Sequence, residues 1–296
     1  MAILFVFVDG MGLAPPGPHN PLAALDEGPL SGLGGNAPLP AGFGLISADA
    51  CLGVPGTPQS ATGGASLFTG RNAPALVGDH LQGYPNAALR ELIARDGLLR
   101  KARERGAHVD FANAYTPAFF SRGRTRHRSV TTVMAESSGI PLKRLEHLRR
   151  GEAVYREFTN RYLIESGLEI EEISPEEAGA RLGRMTRARD LLVYEFFQTD
   201  IAGHRGTFED ALEVLGPLNR FLGAAVAELD PARDAFVLSS DHGNIEDMSI
   251  SSHTTNKVPI LLWGKGLSKW PTTGESPGIL DVSPGIHTLL REFMLC

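Results

Sequence analysis

Four near-continuous apolar runs, widely separated along the chain, do most to limit its fold. They occupy residues 3–8, 191–197, 235–238 and 258–263, and are rich in Val, Ile, Leu and aromatic residues. A strand exposed on one face alternates apolar and polar residues. An unbroken short run instead signals a strand covered on both faces, as in a parallel sheet between helices. Between the second and third runs, residues 207–229 read as a helix. Thr207 and Asp210 resemble a capping box, and Leu212, Leu215, Leu218, Phe221 and Leu222 form one apolar stripe. Pro217 is expected to kink or split it. A last helix is expected over about 284–293. Alternating strands and helices predict an α/β fold with a largely parallel sheet.

The intervening text differs in kind. Twenty of the 49 residues from 10 to 58 are Gly or Pro, which excludes regular structure over most of that stretch. A long loop after a buried first strand lies where open α/β sheets bind ligands. Residues 116–189 are arginine-rich and nearly free of apolar strand runs, with helical patterns at 153–164 and 175–182. They predict a small inserted cap. The remainder, 1–115 and 190–296, forms a discontinuous core.

Composition narrows the partners. With 42% hydrophobic and 21% charged residues the chain is an ordinary globular one. A net charge of −6 argues against binding a nucleic-acid backbone. No apolar run approaches the length of a membrane span, and the apolar N-terminus is broken by Asp9 and lacks a basic leader. Two cysteines, Cys51 and Cys296, are too few for a disulfide framework and fit a reducing, cytoplasmic setting. The oligomeric state is not encoded in any feature of this kind.

Acids and histidines cluster next to the strand runs: Asp9, Asp200 with His204, the adjacent pair Asp241 and His242, and His253. Each is expected at the C-terminal edge of a strand, so that distant positions converge. Any one of them alone is an ordinary cap or loop residue. Jointly, three carboxylates and three imidazoles suit two divalent ions of the Zn²⁺ or Mn²⁺ kind. The other histidines, His19, His80, His108, His127, His147 and His287, lack such company and read as structural or surface residues.

A nucleophile is also available. Ser60 closes the Gly/Pro loop and opens a predicted helix, with Gly63 and Gly64 behind it. A hydroxyl there is expected to face free backbone N–H groups and the positive helix end, which favour an alkoxide and a bound phosphate. The same position suits a plain N-cap, and Thr57 and Thr62 are rival hydroxyls.

These segments resemble the alkaline phosphatase superfamily, and within it the branch of cofactor-independent phosphoglycerate mutase and phosphopentomutase. The carrying stretches are Val8-Asp9-Gly10-Met11-Gly12, Asp200 to Gly206, Asp241-His242-Gly243-Asn244-Ile245-Glu246, His253 to Pro259, and Ser60 to Arg71. The resemblance implies a doubly wound, mostly parallel sheet with a small inserted cap. It implies that Asp200, His204 and His253 hold one metal, and that Asp9, Asp241 and His242 hold the other beside Ser60. It further implies attack by Ser60 on a phosphate monoester through a phosphoserine intermediate.

Two departures shape the functional expectation. Gly64 stands where the mutase motif carries a histidine, and the large inserted transferase domain of the mutases has no counterpart. Keeping the phosphate within one substrate needs a closed, dry pocket, which a small cap does not supply. The expectation is therefore a phosphomonoesterase for a small phosphorylated metabolite. A phosphomutase is the alternative, with Arg122, Arg124, Arg126 and Arg128 clamping substrate phosphate. A non-catalytic metal- or phosphate-binding protein is the second. Sulfatase chemistry is not expected, since neither Cys51 nor Ser60 is followed by the Pro and Arg of the sulfatase motif two and four residues later.

Overall fold

The computed structural model describes residues 1–121, 127–265, 270–271 and 276–294. Its centre is a six-stranded sheet in the order β2-β8-β7-β1-β6-β3. The strands are β1 (Ile3–Val8), β2 (Phe43–Ala48), β3 (Val109–Phe111), β6 (Leu191–Phe196), β7 (Ala235–Ser239) and β8 (Val258–Gly264). A separate two-stranded ribbon pairs β4 (Ala114–Tyr115) with β5 (Lys143–Arg144). The helices of seven or more residues are α1 (Ser60–Thr69), α2 (Ala87–Asp96), α3 (Leu98–Glu104), α4 (Val130–Ser137), α5 (Pro175–Thr186), α6 (Gln198–Arg205), α7 (Phe208–Ala227) and α8 (Val282–Met294).

The apolar runs are buried on both faces because helices cover both. Ile3, Phe5 and Phe7 of β1 join Leu191, Val193 and Val237 on one side, under α1, α2, α3, α4 and α8. Leu4, Val6 and Val8 join Leu192, Tyr194, Phe196 and Leu238 on the other, under α5 and α7. This is the expected α/β, doubly wound arrangement. No helix among the described residues is long and apolar enough to cross a membrane.

Several local expectations are corrected. The run at 258–263 is not parallel: β8 pairs antiparallel with both β7 and β2. Residues 240–257 contain no helix that could carry a parallel crossover, so the chain turns straight back. Pro217 does not split α7, which runs unbroken through it behind the Thr207–Asp210 capping box. The carbonyl that loses its partner belongs to Glu213 on the exposed side, where water can replace the missing N–H. Within 153–164 only Arg161–Glu165 is helical. Val154 instead pairs with Asn113, and Phe158 and Asn160 take positive φ values of 50° and 70° that a helix cannot contain. The short edge strands β2 and β3 carry no apolar run that announces them.

Residues 116–189, expected as a cap, contribute to both helix layers. Val130, Val133 and Met134 of α4 lie in one core, and Ala178 and Leu182 of α5 in the other. The stretch between those helices centres on a third cluster of Leu145, Leu148, Ala153, Tyr155 and Leu163 with Ala114.

Helix α5 approaches α7 through Gly179 and Gly183. A Cβ on Gly179 would lie 2.0 Å from the Phe221 carbonyl oxygen, and one on Gly183 2.5 Å from that of Ala225. Backbone blocks both positions, so the helices must part to admit any side chain. Gly179→Ala should lower stability by about 1–3 kcal/mol, read as a falling melting temperature. Gly216→Ala on α7, where the nearest neighbour of a new Cβ is an Arg220 nitrogen 3.9 Å away, should be neutral or stabilising. Equal effects of the two substitutions would show that close helix contact is not the cause.

Candidate metal centre

The strand ends deliver the chemistry to one edge of the sheet. Asp9 follows β1, its N–H donating to the Phe196 carbonyl at the end of β6. One residue beyond β6, Phe197 caps α6, which carries Asp200 and His204 one turn apart. Asp241 and His242 follow β7. His253 was expected after a strand but precedes β8. Because β8 is antiparallel, its start lies at the same edge, and the Gly243–Thr254 bridge folds His253 back onto His242. Their rings stack with centroids 3.7 Å apart. Ser60 is the first residue of α1, and Gly63 on its next turn leaves room for the Asp241 backbone, whose carbonyl oxygen would sit 2.6 Å from a Cβ there.

All seven predicted ligand and nucleophile positions therefore meet. In one group His204 Nε2 lies 2.9 Å from His253 Nε2, with Asp200 Oδ1 3.4 Å and 3.3 Å from them. Each ring is fixed by its other nitrogen: His204 Nδ1 is 2.7 Å from the Ser251 carbonyl and His253 Nδ1 2.9 Å from that of Pro58. A carbonyl only accepts, so both Nδ1 atoms carry a hydrogen, and in the neutral rings both Nε2 atoms present lone pairs. Two lone pairs and a carboxylate directed at one another repel unless a proton or a metal cation lies among them.

The second group surrounds His242 Nε2. Asp9 Oδ1 and Ser60 Oγ are each 3.1 Å from it, and Asp241 Oδ2 is 3.5 Å away. Asp9 Oδ1 and Asp241 Oδ2 are buried without a hydrogen bond. Asp200 lies between the two groups, with ligand atoms of Asp9, Asp200 and His242 all within 4.8 Å of one another. Nitrogen and carboxylate donors in this mixture fit divalent ions of the zinc and manganese kind.

Electrostatics makes the same demand. Burial, then the charges of Asp9 and Asp200, push the fully buried Asp241 carboxyl well above the usual range. For Asp200, burial works upward but is outweighed by the His253 hydrogen bond, the His242 charge and the Asn244 amide, leaving it at about 2. Burial likewise opposes charge on His242, yet Asp9 and Asp200 hold its pKa above the ordinary value. Three carboxylates this close stay ionised together only beside added positive charge.

Residues outside the predicted set hold it in place. Asn244 Nδ2 donates to Asp200 Oδ1 at 2.9 Å. The Glu246 carboxylate accepts from Gly12 N at 2.8 Å, Asn244 N at 2.7 Å and Asn256 Nδ2 at 3.1 Å, and also from the Thr254 hydroxyl. Ser240 Oγ accepts from Met11 N and donates to the His242 carbonyl, both at 2.9 Å. Asn244 and Glu246 stand inside the Asp241–Glu246 segment, so adjacency to the motif was the available signal.

Other expectations fare differently. Gln59, not Ser60, is the N-cap of α1, so the Ser60 hydroxyl is not spent on capping. The expected free N–H groups behind it are absent among the first described turns: Ala61 N and Thr62 N both donate to the Leu81 carbonyl, and Gly63 N to that of Gln59. A long-range loop contact, invisible in the helix's own sequence, satisfies them. Thr62 is occupied by the Gln59 carbonyl and Leu81 N–H, and no hydrogen bond among the described residues joins Thr57 to the cluster. Gly64 packs on Val130 of α4, whose side chain would be 3.5 Å from a Cβ. Arg122, Arg124 and Arg126 lie outside the described residues. Arg128 sits 3.9 Å above the Phe119 ring and 3.6 Å from Glu136. Cys51 is a free thiol, and Cys296 lies outside the described residues.

Glu195, the penultimate residue of β6, is a buried carboxyl beside this centre. Burial lifts its pKa to about 7 against the Thr131 hydrogen bond, with the Asp9 charge adding to the rise. A raised carboxyl pKa contributes stability below the unfolded value that is lost as pH climbs through the folded one. The metal-free protein should therefore lose stability relative to Glu195→Gln between about pH 4.5 and 8. Thermal melts at pH 5 and pH 8 check this, and a pH-independent difference between the two proteins would contradict it.

Comparison with known proteins places this geometry. Residues 152–292 match the metalloenzyme superfamily. The 2,3-bisphosphoglycerate-independent phosphoglycerate mutase of Wolinella succinogenes is 32% identical over 129 residues, 42% of this chain and 25% of that protein. The one from Agrobacterium fabrum is 37% identical over 82 residues, 25% of this chain and 16% of its own length. The matched segments thus span a quarter or less of these relatives. Among solved structures, the PH0037 protein from Pyrococcus horikoshii has the same fold, with a TM-score of 0.59 at 15% identity over 98% of this chain and 96% of that one. By these likenesses residues 152–292 resemble the metalloenzyme superfamily, parts of the chain resemble the phosphoglycerate mutases, and the fold is that of the PH0037 protein.

Proposed function

We propose that this chain is a two-metal phosphoryl-transfer enzyme, acting as a phosphomonoesterase on a small phosphorylated metabolite through a phosphoserine at Ser60. The observation that carries the reading is the Ser60 hydroxyl, uncommitted to capping, 3.1 Å from His242 Nε2 inside the convergent donor set. Asp200, His204 and His253 would hold one divalent ion, and Asp9, Asp241 and His242 with Ser60 the other. Such ions supply Lewis-acid neutralisation of the phosphoryl oxygens and a lowered hydroxyl pKa. Metal identity, Mn²⁺ or Zn²⁺, is part of the proposal only as a class.

The chain's own part is positional. Ser60 Oγ attacks phosphorus in line with the ester oxygen, forming a phosphoserine as that P–O bond breaks. Water then attacks the phosphoserine and restores the hydroxyl. The amides of Ala61, Thr62 and Gly63 are already committed to carbonyls, so most positive charge for the phosphoryl group comes from the centre itself and from nearby guanidinium groups. Asn244 and Glu246 keep the ligands oriented. A phosphomutase is the second reading, favoured by the names of the mutase relatives. A reducing, cytoplasmic location belongs to the same proposal and rests on cysteine usage.

Hydrolysis of p-nitrophenyl phosphate with Mn²⁺ or Zn²⁺ tests the core of this. Ser60→Ala should lose on the order of a thousandfold in kcat while still binding metal. Undiminished turnover would remove Ser60 from its role. Phosphate release from 3-phosphoglycerate supports hydrolysis, whereas its conversion to 2-phosphoglycerate without release decides for the mutase.

Arg156, which sequence reading passed over, is a second candidate for substrate charge beside Arg128. Its guanidinium lies 5.0 Å from the ring centroid of Phe197, the residue that caps the Asp200-bearing helix. Its Nε is buried with no hydrogen bond, and its charge acts on the neighbouring Glu157 without a close ion pair among the described residues. Arg156→Gln should lower kcat/KM for phosphorylated carboxylates by roughly ten- to a hundredfold, as for a lost charged hydrogen bond. It should affect p-nitrophenyl phosphate less, and an equal loss on both substrates would remove the residue from substrate recognition.

A further inference from the structure

The opposite edge of the sheet carries a concentration of charge that the proposed catalysis does not use. A cavity of about 550 Å³ is lined by Arg149, Arg150, Arg181, Arg184 and Arg189, against only Asp110 and Glu152. Its floor includes Leu192, near the start of β6, while the metal centre lies beyond Phe196 at the end of that strand. Strand geometry puts the two edges roughly 15 Å apart, so the cavity is no part of the catalytic pocket.

The arginines divide by what they already hold. Arg150 is tied to Glu152 by two bonds of 3.0 Å and 2.8 Å. Arg184 meets Glu228, and Arg189 shares Asp110 with Lys143. Arg149 and Arg181 differ. Among the described residues Arg149 Nη2 donates to the Glu169 carbonyl at 3.0 Å and Arg181 Nη1 to the Leu148 carbonyl at 3.1 Å, with no other hydrogen bond from either guanidinium. Neither has a carboxylate partner among the described residues. Arg181 passes beside Gly151, where a Cβ would be in ordinary contact at 3.7 Å from Arg181 Nε.

Each of these two guanidinium groups is thus aimed by one backbone carbonyl and keeps its remaining N–H donors free. Backbone anchoring orients them without neutralising them. Two oriented, uncompensated forks on one concave wall match the oxygens of a phosphoryl group, which accept several charge-assisted hydrogen bonds. A concave volume rather than a flat stripe, in a chain of net charge −6, disfavours an extended polyanion such as RNA.

We propose that this cavity is a binding site for a small phosphoryl anion, held between Arg149 and Arg181 and separate from the metal centre. The proposal is independent of the catalytic reading, since it uses none of the same residues. Inorganic pyrophosphate is a suitable probe, because it offers two linked phosphoryl groups to two forks.

Hydrogen–deuterium exchange of the metal-loaded protein with and without pyrophosphate separates the two locations. Pyrophosphate should protect peptides covering 145–152 and 178–190, in addition to any protection of 58–66 and 241–254. In Arg149→Gln/Arg181→Gln the first protection should vanish and the second remain, with the melting temperature without ligand and turnover of p-nitrophenyl phosphate unchanged. Arg149→Lys/Arg181→Lys, which keeps charge but loses the forks, should weaken binding by about tenfold and guards against a folding defect in the first variant. Protection confined to the metal centre, or unchanged protection of 145–152 and 178–190 in the double glutamine variant, would overturn the site. So would binding of a short RNA that depends on these arginines while pyrophosphate gives none.

Discussion

Two imidazole lone pairs aimed at each other organise this molecule. His204 and His253 each commit the hydrogen-bearing nitrogen to a carbonyl, of Ser251 and Pro58, and thereby turn unshared electron pairs toward one another and toward Asp200. Neutral rings cannot satisfy that arrangement without an added proton or metal cation. The neighbouring group repeats the demand, with two carboxylate oxygens buried and unpaired beside His242 and Ser60. Such a concentration of like charge is stable only with cations in it, or with protons that raise pKa values as they do for Asp241.

The fold makes this possible through one reversed strand. Parallel strands β1, β6 and β7 end at the same edge and deliver Asp9, Asp200 with His204, and Asp241 with His242. A further parallel strand would have needed a helix between β7 and β8. Turning back directly lets a short loop close on itself at Gly243 and Thr254, which sets His253 against His242. The Glu246 carboxylate sits at the base of that loop and gathers Gly12, Asn244, Thr254 and Asn256. It therefore ties the loop after β1 to the loop after β7. Commitment of the Ala61 and Thr62 amides to the Leu81 carbonyl shifts phosphate neutralisation toward cations and guanidinium groups, which makes metal and arginine more consequential here than at a bare helix start.

What could be read from the sequence was whatever local chemistry determines. The four apolar runs, the Thr207 capping box and the seven clustered positions depend on residue type and short spacing; the structure forms all four strands and the capping box and brings the seven positions together, although β8 runs antiparallel and His253 precedes it. Three kinds of feature escaped. Strand direction depends on what joins two strands, so β8 looked like its parallel neighbours until the helix-free 240–257 connection was seen. Helix content at 153–164 was overruled by pairing of Val154 with Asn113, some forty residues away. Charge compensation depends on partners brought in by folding: nothing near Arg149 or Arg181 in sequence shows that these guanidinium groups end without a carboxylate partner among the described residues. Glu195 hid inside an apolar run for a related reason, since only burial turns an ordinary strand glutamate into a carboxyl with a pKa near 7.

The central claim is that the convergent donor atoms are two metal sites. Anomalous diffraction at the manganese edge, from crystals grown with Mn²⁺, tests it without reference to any substrate. The account predicts two peaks. One should lie within about 2.0–2.3 Å of His204 Nε2, His253 Nε2 and an Asp200 oxygen, and the other at similar distances from Asp9, Asp241 and His242, next to Ser60. No peak at saturating metal, or peaks only at other acidic residues, would contradict it.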